Sequence, residues 1–503
     1  MAEEIIVCVS PLETRVAVVV QGLLQEVFVE RLGARSLVGN VYKGKVSRVL
    51  PGMQSAFINI GEDRAAFAHI SDLVSFSPGD SRGAEIGNLY PPIAGLLHEG
   101  QTVLVQITKE PISSKGPRVT TGLSFASRYL VFLPGGTGST GISQRIVDEQ
   151  ERQRLLGLIN DHVADLAQGG TFIIRTAAEG IHENDLLADM KYLQGKWSNI
   201  SDDATASGVP ALIYQDLPVQ LRVLRDLVCE DTREITVNHQ VTHQLLALFL
   251  SEFAPNKQDC LVLAEEGAPL FEIYNIEDQI KAALARQVPL KSGGYLVFDQ
   301  TEAMTTIDVN TGSFTGKRDL EDTIYQTNIE AATVIPRQLR LRGIGGIVIV
   351  DFIDMLDEEH RRQVLRILEK GQHNDRVNWK ISGFSEIGLV EMTRKRSKDS
   401  LLRITCEPCS VCQGRGYLKS AETVCLEIYR EMQRKSADFK KGRYMILASP
   451  TVIDYLLENS SVYIEKLSEK VGDIQLQVEM SYSQEEYDIV MMESPESLQV
   501  SES

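Results

Sequence analysis

Two acidic residues and an amide stand where the apolar pattern ends two strands. Thr306-Ile307-Asp308-Val309-Asn310-Thr311-Gly312 alternates as a strand does. Residues two apart share a face, so Asp308 and Asn310 point one way while Ile307 and Val309 point into a core. A second string, Ile347-Val348-Ile349-Val350-Asp351-Phe352, reads as a buried strand with a carboxylate at its end. The ends of neighbouring strands in an open α/β sheet form a crevice. Two carboxylates and an amide there make an oxygen-only donor set suited to Mg²⁺. Such an ion polarises a phosphodiester and acidifies a bound water for attack on phosphorus. A plainer reading leaves Asp308 in a turn and makes Asp351 the cap of the next helix. Asp354 and Asp357, just before Glu358, are better placed for that cap. The residues alone leave both readings open.

Other strings suggest contact with nucleic acid. In SAFINIG, Ala56, Ile58 and Ile60 share a face and leave Phe57 on the other. In RAAFAHI, Ala66, Ala68 and Ile70 do the same and leave Phe67 and His69 opposite. Aromatics on the outer face of a barrel are platforms for unpaired bases. Lys43, Lys45, Arg48 and Lys115 would supply phosphate contacts. A single such phenylalanine usually packs under a loop; two at matching positions favour RNA. Arg175 and Thr176 end the strand TFIIRT and make a phosphate fork, guanidinium plus hydroxyl, or else Arg175 sits in a surface ion pair. Gly136, Gly138 and Gly141 fit a dinucleotide fingerprint, but Pro134 interrupts it and the next strand ends in Arg175 instead of an acidic ribose partner.

Cys406, Cys409 and Cys412 form a compact thiolate cluster followed by Gly414 and Gly416. A closed zinc site needs four ligands, and a second Cys pair is missing. One solution is a symmetric dimer in which each chain donates two thiolates. Competing readings are a redox motif, for which the surround lacks a thioredoxin-like pattern, and a fragment of the zinc repeat of DnaJ-type chaperones, which needs several copies.

The elements that must position these groups follow from length and pattern. A chain of 503 residues exceeds one core. Its net charge of −18 argues against general coating of nucleic acid, though not against a local groove. The acidic start lacks a signal-peptide layout, and no apolar run approaches the roughly 20 residues of a membrane span. Seven cysteines with three clustered suit a reducing cytoplasm and one metal site. Alternating strands open the chain over residues 1–37. Short strands with Gly-rich turns over 38–123 read as a small β-barrel. Mixed helices and strands follow over 124–218 and 219–279. An α/β core spans 280–402, a Cys/Gly connector 403–418, and a small α+β segment 419–503.

EAMTTIDVNTG, GGIVIVDFIDM and GLVEMTRKR together resemble the catalytic core of the ribonuclease E/G family. The resemblance runs from ETRVA near the start to YDIVMM near the end. It implies a mosaic of α/β and α+β domains: an S1 (OB-fold) barrel inserted in a split RNase-H-like domain, a 5′-end sensor at 124–218, and a metal-dependent nuclease domain. It implies that Asp308 and Asp351 hold Mg²⁺, that Asn310 positions the attacking water, and that Phe57, Phe67 and Lys115 contact RNA. Arg175, Thr176 and Val131 would then recognise a 5′-monophosphate; Ser127 stands where part of the family has glycine. The family's C-x-x-C-x-G-x-G motif aligns to Cys409 and Cys412, implying a structural Zn²⁺ shared by two chains and a homodimer or higher oligomer; Cys406 is an extra thiol. The implied reaction is hydrolysis of single-stranded RNA to 5′-phosphate and 3′-hydroxyl ends, with roles in 16S rRNA 5′-end maturation and message turnover. The alternatives are a noncatalytic S1-type RNA-binding regulator of translation and a zinc-stabilised scaffold.

Overall fold

Alternating apolar residues at the start make β1 (Glu3–Val9), β2 (Glu13–Val20) and β3 (Leu23–Arg31), an antiparallel meander. Gln21 and Gly22, both at positive φ, make the tight turn between β2 and β3. The computed structural model describes residues 2–33, 35–73, 92–111, 116–136, 140–166, 170–312, 320–373, 375–396, 398–438, 442–459 and 461–492. They form two units, Met1–Ile404 and Thr405–Ser503.

The short strands expected after residue 38 close into a five-stranded, OB-like barrel. It comprises β4 (Val41–Leu50), β5 (Ser55–Asn59), β6 (Ala66–His69), β7 (Thr102–Lys109) and β8 (Arg118–Thr120). Their order is β4-β5-β6-β8-β7, and β7 pairs back onto β4. Val46, Ile58, Ala68, Val105, Ile107 and Val119 fill the inside. β9 (Phe125–Ala126), β10 (Leu130–Pro134), β11 (Gly141–Ile142) and β12 (Gly170–Ile174) form a separate small sheet. Its core is shared with α1 (Glu149–Leu166) and α2 (Glu183–Ala206). The glycine string from Gly136 to Gly141 leads into β11, not a helix, and β10 runs antiparallel to β12; neither suits a dinucleotide fold. Residues 137–139, Gly138 among them, lie outside the described residues. β13 (Ala211–Tyr214) pairs with β4, so this segment lends a strand to the barrel sheet.

The chain then returns to its first sheet through α3 (Val219–Leu227), β14 (Thr232–Val237), α4 (Gln240–Phe253), β15 (Leu261–Leu263), α5 (Leu270–Ile273) and α6 (Ile276–Leu284). β14 lies parallel to β1, giving the order β15-β14-β1-β2-β3. One face packs on α3 and α4, the other on α5 and α6. Segments on either side of the barrel and the small sheet thus share one sheet.

A second six-stranded sheet carries the acidic residues. Its strands are β16 (Gln287–Pro289), β17 (Tyr295–Gln300), β18 (Met304–Asn310), β19 (Gly346–Asp351), β20 (Trp379–Phe384) and β21 (Leu389–Arg394), in the order β16-β17-β18-β19-β21-β20. β18 and β19 are parallel, and such a pair needs a crossover. α7 (Leu320–Leu341) supplies it and, with α8 (Glu358–His373), covers one face of the sheet. α9 (Leu401–Thr405) follows. In the second unit, α10 (Ala421–Asp438), β22 (Gly442–Ala448), α11 (Pro450–Asn459), α12 (Ser461–Val471), β23 (Gly472–Val478) and β24 (Tyr487–Met492) build a three-stranded sheet in the order β23-β22-β24, backed by helices. No helix among the described residues is long and apolar enough to cross a membrane.

A buried ion pair fastens the far edge of the acid-bearing sheet. Asp375 accepts from Arg394 Nε at 2.8 Å and from Trp379 Nε1 at 2.8 Å, and Arg394 Nη1 donates to the Ile344 carbonyl at 2.6 Å. Both side chains of the pair are at most 4% exposed. Removing one partner of such a pair strands the other charge and costs roughly 3–5 kcal/mol. Asp375→Ala should therefore lower the urea midpoint of this sheet by that equivalent. Trp379 fluorescence in a Trp197→Phe background reads it; an unchanged midpoint would show the pair to be dispensable.

Candidate active site

Asp308 and Asp351 meet because their strands are parallel and in register. Thr305, Ile307 and Val309 of β18 face inward, as do Val348 and Val350 of β19, which turns both aspartates outward. In the ladder Asp308 stands directly opposite Asp351. Asn310, on the same face two residues on, donates from Nδ2 to Asp308 Oδ2 at 2.8 Å. Among the described residues no Lys, Arg or His pairs with either aspartate, and no three His, Cys, Asp or Glu side chains converge as a metal cage. Burial, then the charge of Asp308, then that of Asp354 push the Asp351 carboxyl above the ordinary carboxylate range. Two like charges held side by side, with no cationic partner among the described residues, suit a divalent cation. An oxygen-only set of two carboxylates suits Mg²⁺, which keeps several of its waters.

The loops around this pair are clamped by α7. Asn328, fully buried, donates from Nδ2 to the Ile353 carbonyl at 2.7 Å, and its Oδ1 accepts from the Ile353 amide at 3.1 Å. Glu321 accepts from the Leu356 amide at 3.1 Å. Both contacts fix the segment that follows Asp351 and carries Asp354. On the other side Glu330 accepts from the amides of Lys291 and Ser292. That turn braces the end of β18: a Cβ on Gly312, at φ +58°, would lie 2.5 Å from the Gly293 carbonyl oxygen. Asp357 caps α8, accepting from the Glu359 amide at 2.7 Å. The cap expectation thus holds for Asp357, while Asp354 contributes its charge to the aspartate pair instead.

Phe57 and Phe67 pair across β5 and β6 with ring centroids 5.9 Å apart, edge to face. Both are half-buried, while Ala56, Ile58, Ala66 and Ala68 are buried, so the two faces divide as the alternation requires. The register continues outward into a row Arg48–Phe57–Phe67–Arg118. Arg118 is held by a bidentate pair with Asp72 at 2.8 and 2.9 Å. Lys43 differs from expectation. Its ammonium donates to the Ala204 and Ser207 carbonyls at 2.7 and 2.8 Å, capping α2. Lys115 lies outside the described residues.

Val131 pairs with Ile173 in the β10–β12 ladder, and alternation brings Ile173 and Arg175 to the same side. Thr176 follows, its hydroxyl 3.0 Å from that of Ser143. Arg175 is engaged: Nη2 donates to Asp226 Oδ1 at 2.8 Å and Nη1 donates to the Ser127 carbonyl. Asp226 also accepts from Arg225 Nη2 at 2.8 Å. Burial alone would raise the Asp226 carboxyl, but Arg225 and Arg175 outweigh it and hold the group below its ordinary range. Ser127, fully buried, donates to Asp189, which also accepts from the amides of Tyr129 and Leu130, each at 3.0 Å. The structure thus gathers Val131, Arg175 and Thr176, with Arg175 in an ion pair.

In the second unit Cys406 and Cys409 are exposed and Cys412 is half-buried. Amides of Gly416 and Gly414, then the Cys409 thiol, hold the Cys412 thiol below its ordinary range. Arg415 and the Lys419 amide both bind Glu485, tying the loop to the turn before β24.

Comparison with known proteins decides what this assembly is. Residues 124–397 match the family described as Ribonuclease E/G family. Over 493 residues, 98% of this chain and 100% of the relative, it is 45% identical to ribonuclease G of Salmonella typhimurium and to that of Escherichia coli. The chain belongs to the ribonuclease E/G family. It is an endoribonuclease, a hydrolase acting on the phosphodiester bonds of RNA, which sets aside the noncatalytic and scaffold readings. Ribonuclease E of Haemophilus influenzae is 34% identical over 91% of this chain but only 48% of its own length. Residues 408–493 match a further description, RNase E/G, Thioredoxin-like domain. The surround of the cysteines is therefore thioredoxin-like after all. Cys409 and Cys412 nonetheless precede α10 and the whole sheet, whereas a redox pair belongs at a strand-to-helix junction within it.

Sequence reasoning missed Asn328, Glu330 and Asp226. A signal existed for Asn328: Ile324, Asn328, Ala331 and Ile335 fall on one helical stripe, where a lone amide must find a buried partner. The raised Asp351 carboxyl carries a sign that can be checked. A carboxyl raised in the folded state contributes stability at low pH that is lost as the pH climbs through its folded value. Metal-free Asp351→Asn should accordingly melt above the parent at neutral pH, the gap closing as the pH falls toward the ordinary carboxylate range. Equal melting across the whole pH series would remove the repulsion argument.

Proposed function

We propose that this endoribonuclease cuts single-stranded RNA at the Asp308–Asp351 pair with the help of Mg²⁺, leaving 5′-phosphate and 3′-hydroxyl ends. The observation that carries the reading is the in-register pair of unneutralised carboxylates with Asn310 bonded to one of them. Bound there, Mg²⁺ would offset charge developing on the phosphodiester and acidify a coordinated water. Asp308 and Asp351 would hold the ion, and Asn310 would orient the attacking water. α7, through Asn328 and Glu330, keeps the strand ends from spreading. The first sheet, divided in sequence around the barrel, is read as the split RNase-H-like domain, and the barrel as an S1 domain whose Phe57 and Phe67 stack bases.

A preference for 5′-monophosphorylated RNA is proposed at Arg175, Thr176 and Val131, where the phosphate must compete with Asp226 for the guanidinium. Zn²⁺ is proposed to bridge two chains through Cys409 and Cys412. The low thiol of Cys412, held by glycine amides, suits a thiolate ligand, and one chain offers two well-spaced sulfurs of the four needed. By resemblance to the ribonuclease G branch, cytoplasmic roles in 16S rRNA 5′-end maturation and mRNA decay are proposed.

Cleavage of one RNA carrying either a 5′-hydroxyl or a 5′-monophosphate tests both sites together. Asp308→Asn should lose on the order of 10² to 10⁴ in rate on both RNAs while still binding them. Arg175→Ala should slow the monophosphorylated RNA by roughly 1.5–3 kcal/mol and spare the other. Near-normal turnover by Asp308→Asn at saturating Mg²⁺ refutes the catalytic site; equal losses by Arg175→Ala on both RNAs refute the sensor. Native mass spectrometry checks the zinc link: half a zinc per chain, with both zinc and dimer lost in Cys409→Ser/Cys412→Ser. One zinc per chain and an intact dimer in the double variant would refute sharing.

A further inference from the structure

The acid-bearing sheet is covered on one face. α7 and α8 pack against Leu296, Ile307, Val309, Val348, Val350 and Met392. The opposite face is open: Met304, Thr306 and Asp308 on β18, and Ile347, Ile349 and Asp351 on β19, are exposed or half-buried. Met304 and Ile347 are 37% and 45% exposed. Parallel strands are normally buried on both faces, so an uncovered parallel pair marks a working surface.

The register gives this face two ends. One is the row Asp308–Asp351–Leu389, and the other is the row Met304–Ile347–Thr393–Lys380. At the second end Ile347, Asn378, Lys380, Thr393 and Lys395 line a shallow depression of about 420 Å³. Lys380, Lys395 and the neighbouring Arg396 are exposed, and among the described residues no carboxylate lies in ion-pair range of them. Arg396 Nε donates to the Gly345 carbonyl at 3.1 Å, which steadies it beside the depression. Unpaired cations grouped on a chain of net charge −18 form a local field opposite in sign to the whole. Glu391, in the row between the two ends, repels phosphate and confines such contacts to the far end.

We propose that this depression is a backbone subsite for the single-stranded RNA being cut. Lys380 and Lys395 contact its phosphates, while Ile347 and Met304 offer an apolar floor to a base. From Asp351 to Ile347 is four residues along one strand, roughly 13 Å, so the subsite lies within a few nucleotides of the bond cleaved. The assignment rests on the aspartate pair being the site of cleavage.

The test measures binding of a labelled single-stranded RNA across a salt series, in an Asp308→Asn background that blocks turnover. Every phosphate that the protein ceases to neutralise lowers the slope of log affinity against log salt by about 0.7 for a single strand. Lys380→Ala/Lys395→Ala should weaken binding several-fold near physiological salt and flatten the slope by roughly 1.4. Thr393→Lys should steepen it by about 0.7, a gain that a folding defect does not produce. An unchanged slope in both variants overturns the subsite. A change of oligomeric state in sedimentation with an unchanged slope also overturns it, assigning the face to a second copy of the chain. Full cleavage by Asp308→Asn would overturn the catalytic assignment instead, and the slopes would still decide the subsite.

Discussion

Everything at the candidate active site depends on one register: Asp308 of β18 lying opposite Asp351 of β19 in a parallel ladder. Folding must hold two carboxylates side by side, although burial and the charge of Asp308 make Asp351 harder to ionise. The apolar residues between them supply the holding force. Ile307, Val309, Val348 and Val350 anchor the strands in the core shared with α7 and α8. A one-residue slip of either strand would bury an aspartate and expose a valine, so the same alternation that builds the core sets where the aspartates stand.

That alternation is why the facing of the candidate catalytic residues could be read from sequence. Period two separates Asp308 from Ile307 and Phe57 from Ala56 without knowledge of any partner. What could not be read was the meeting of distant segments. Asn328 serves Ile353, Glu330 serves the turn at Lys291, and Asp226 holds Arg175, each across tens of residues. Lys43 shows the same limit: a lysine on a barrel strand looks available for phosphate until α2 brings its terminal carbonyls to it. The thioredoxin-like character of the last segment escaped for a related reason. Its core comes from a helix–strand pattern common to many small α+β folds, and the cysteines that suggest redox chemistry lie outside it.

The two six-stranded sheets illustrate different uses of the same geometry. In the barrel the inside is filled, so chemistry is left to the outer face, where two phenylalanines meet edge to face. In the acid-bearing sheet one face is sacrificed to helices, and Asp308, Asn310 and Asp351 lie on the other. Such a surface must give up the stability that burying Met304 and Ile347 would bring.

The division of the first sheet bears on how the chain is made. β1 is flanked in the finished protein by β2 and β14, whose first residue lies 229 positions after that of β1. At ribosomal rates of about 5–20 residues per second, the nascent meander waits roughly 10–50 s for its parallel neighbour. The barrel strands are made within that interval, while Ile5, Ile6 and Val7 form an unpaired edge of the kind that recruits foreign strands. Synthesis of this enzyme thus includes a vulnerable period set by topology, and slower translation of residues 38–231 lengthens it.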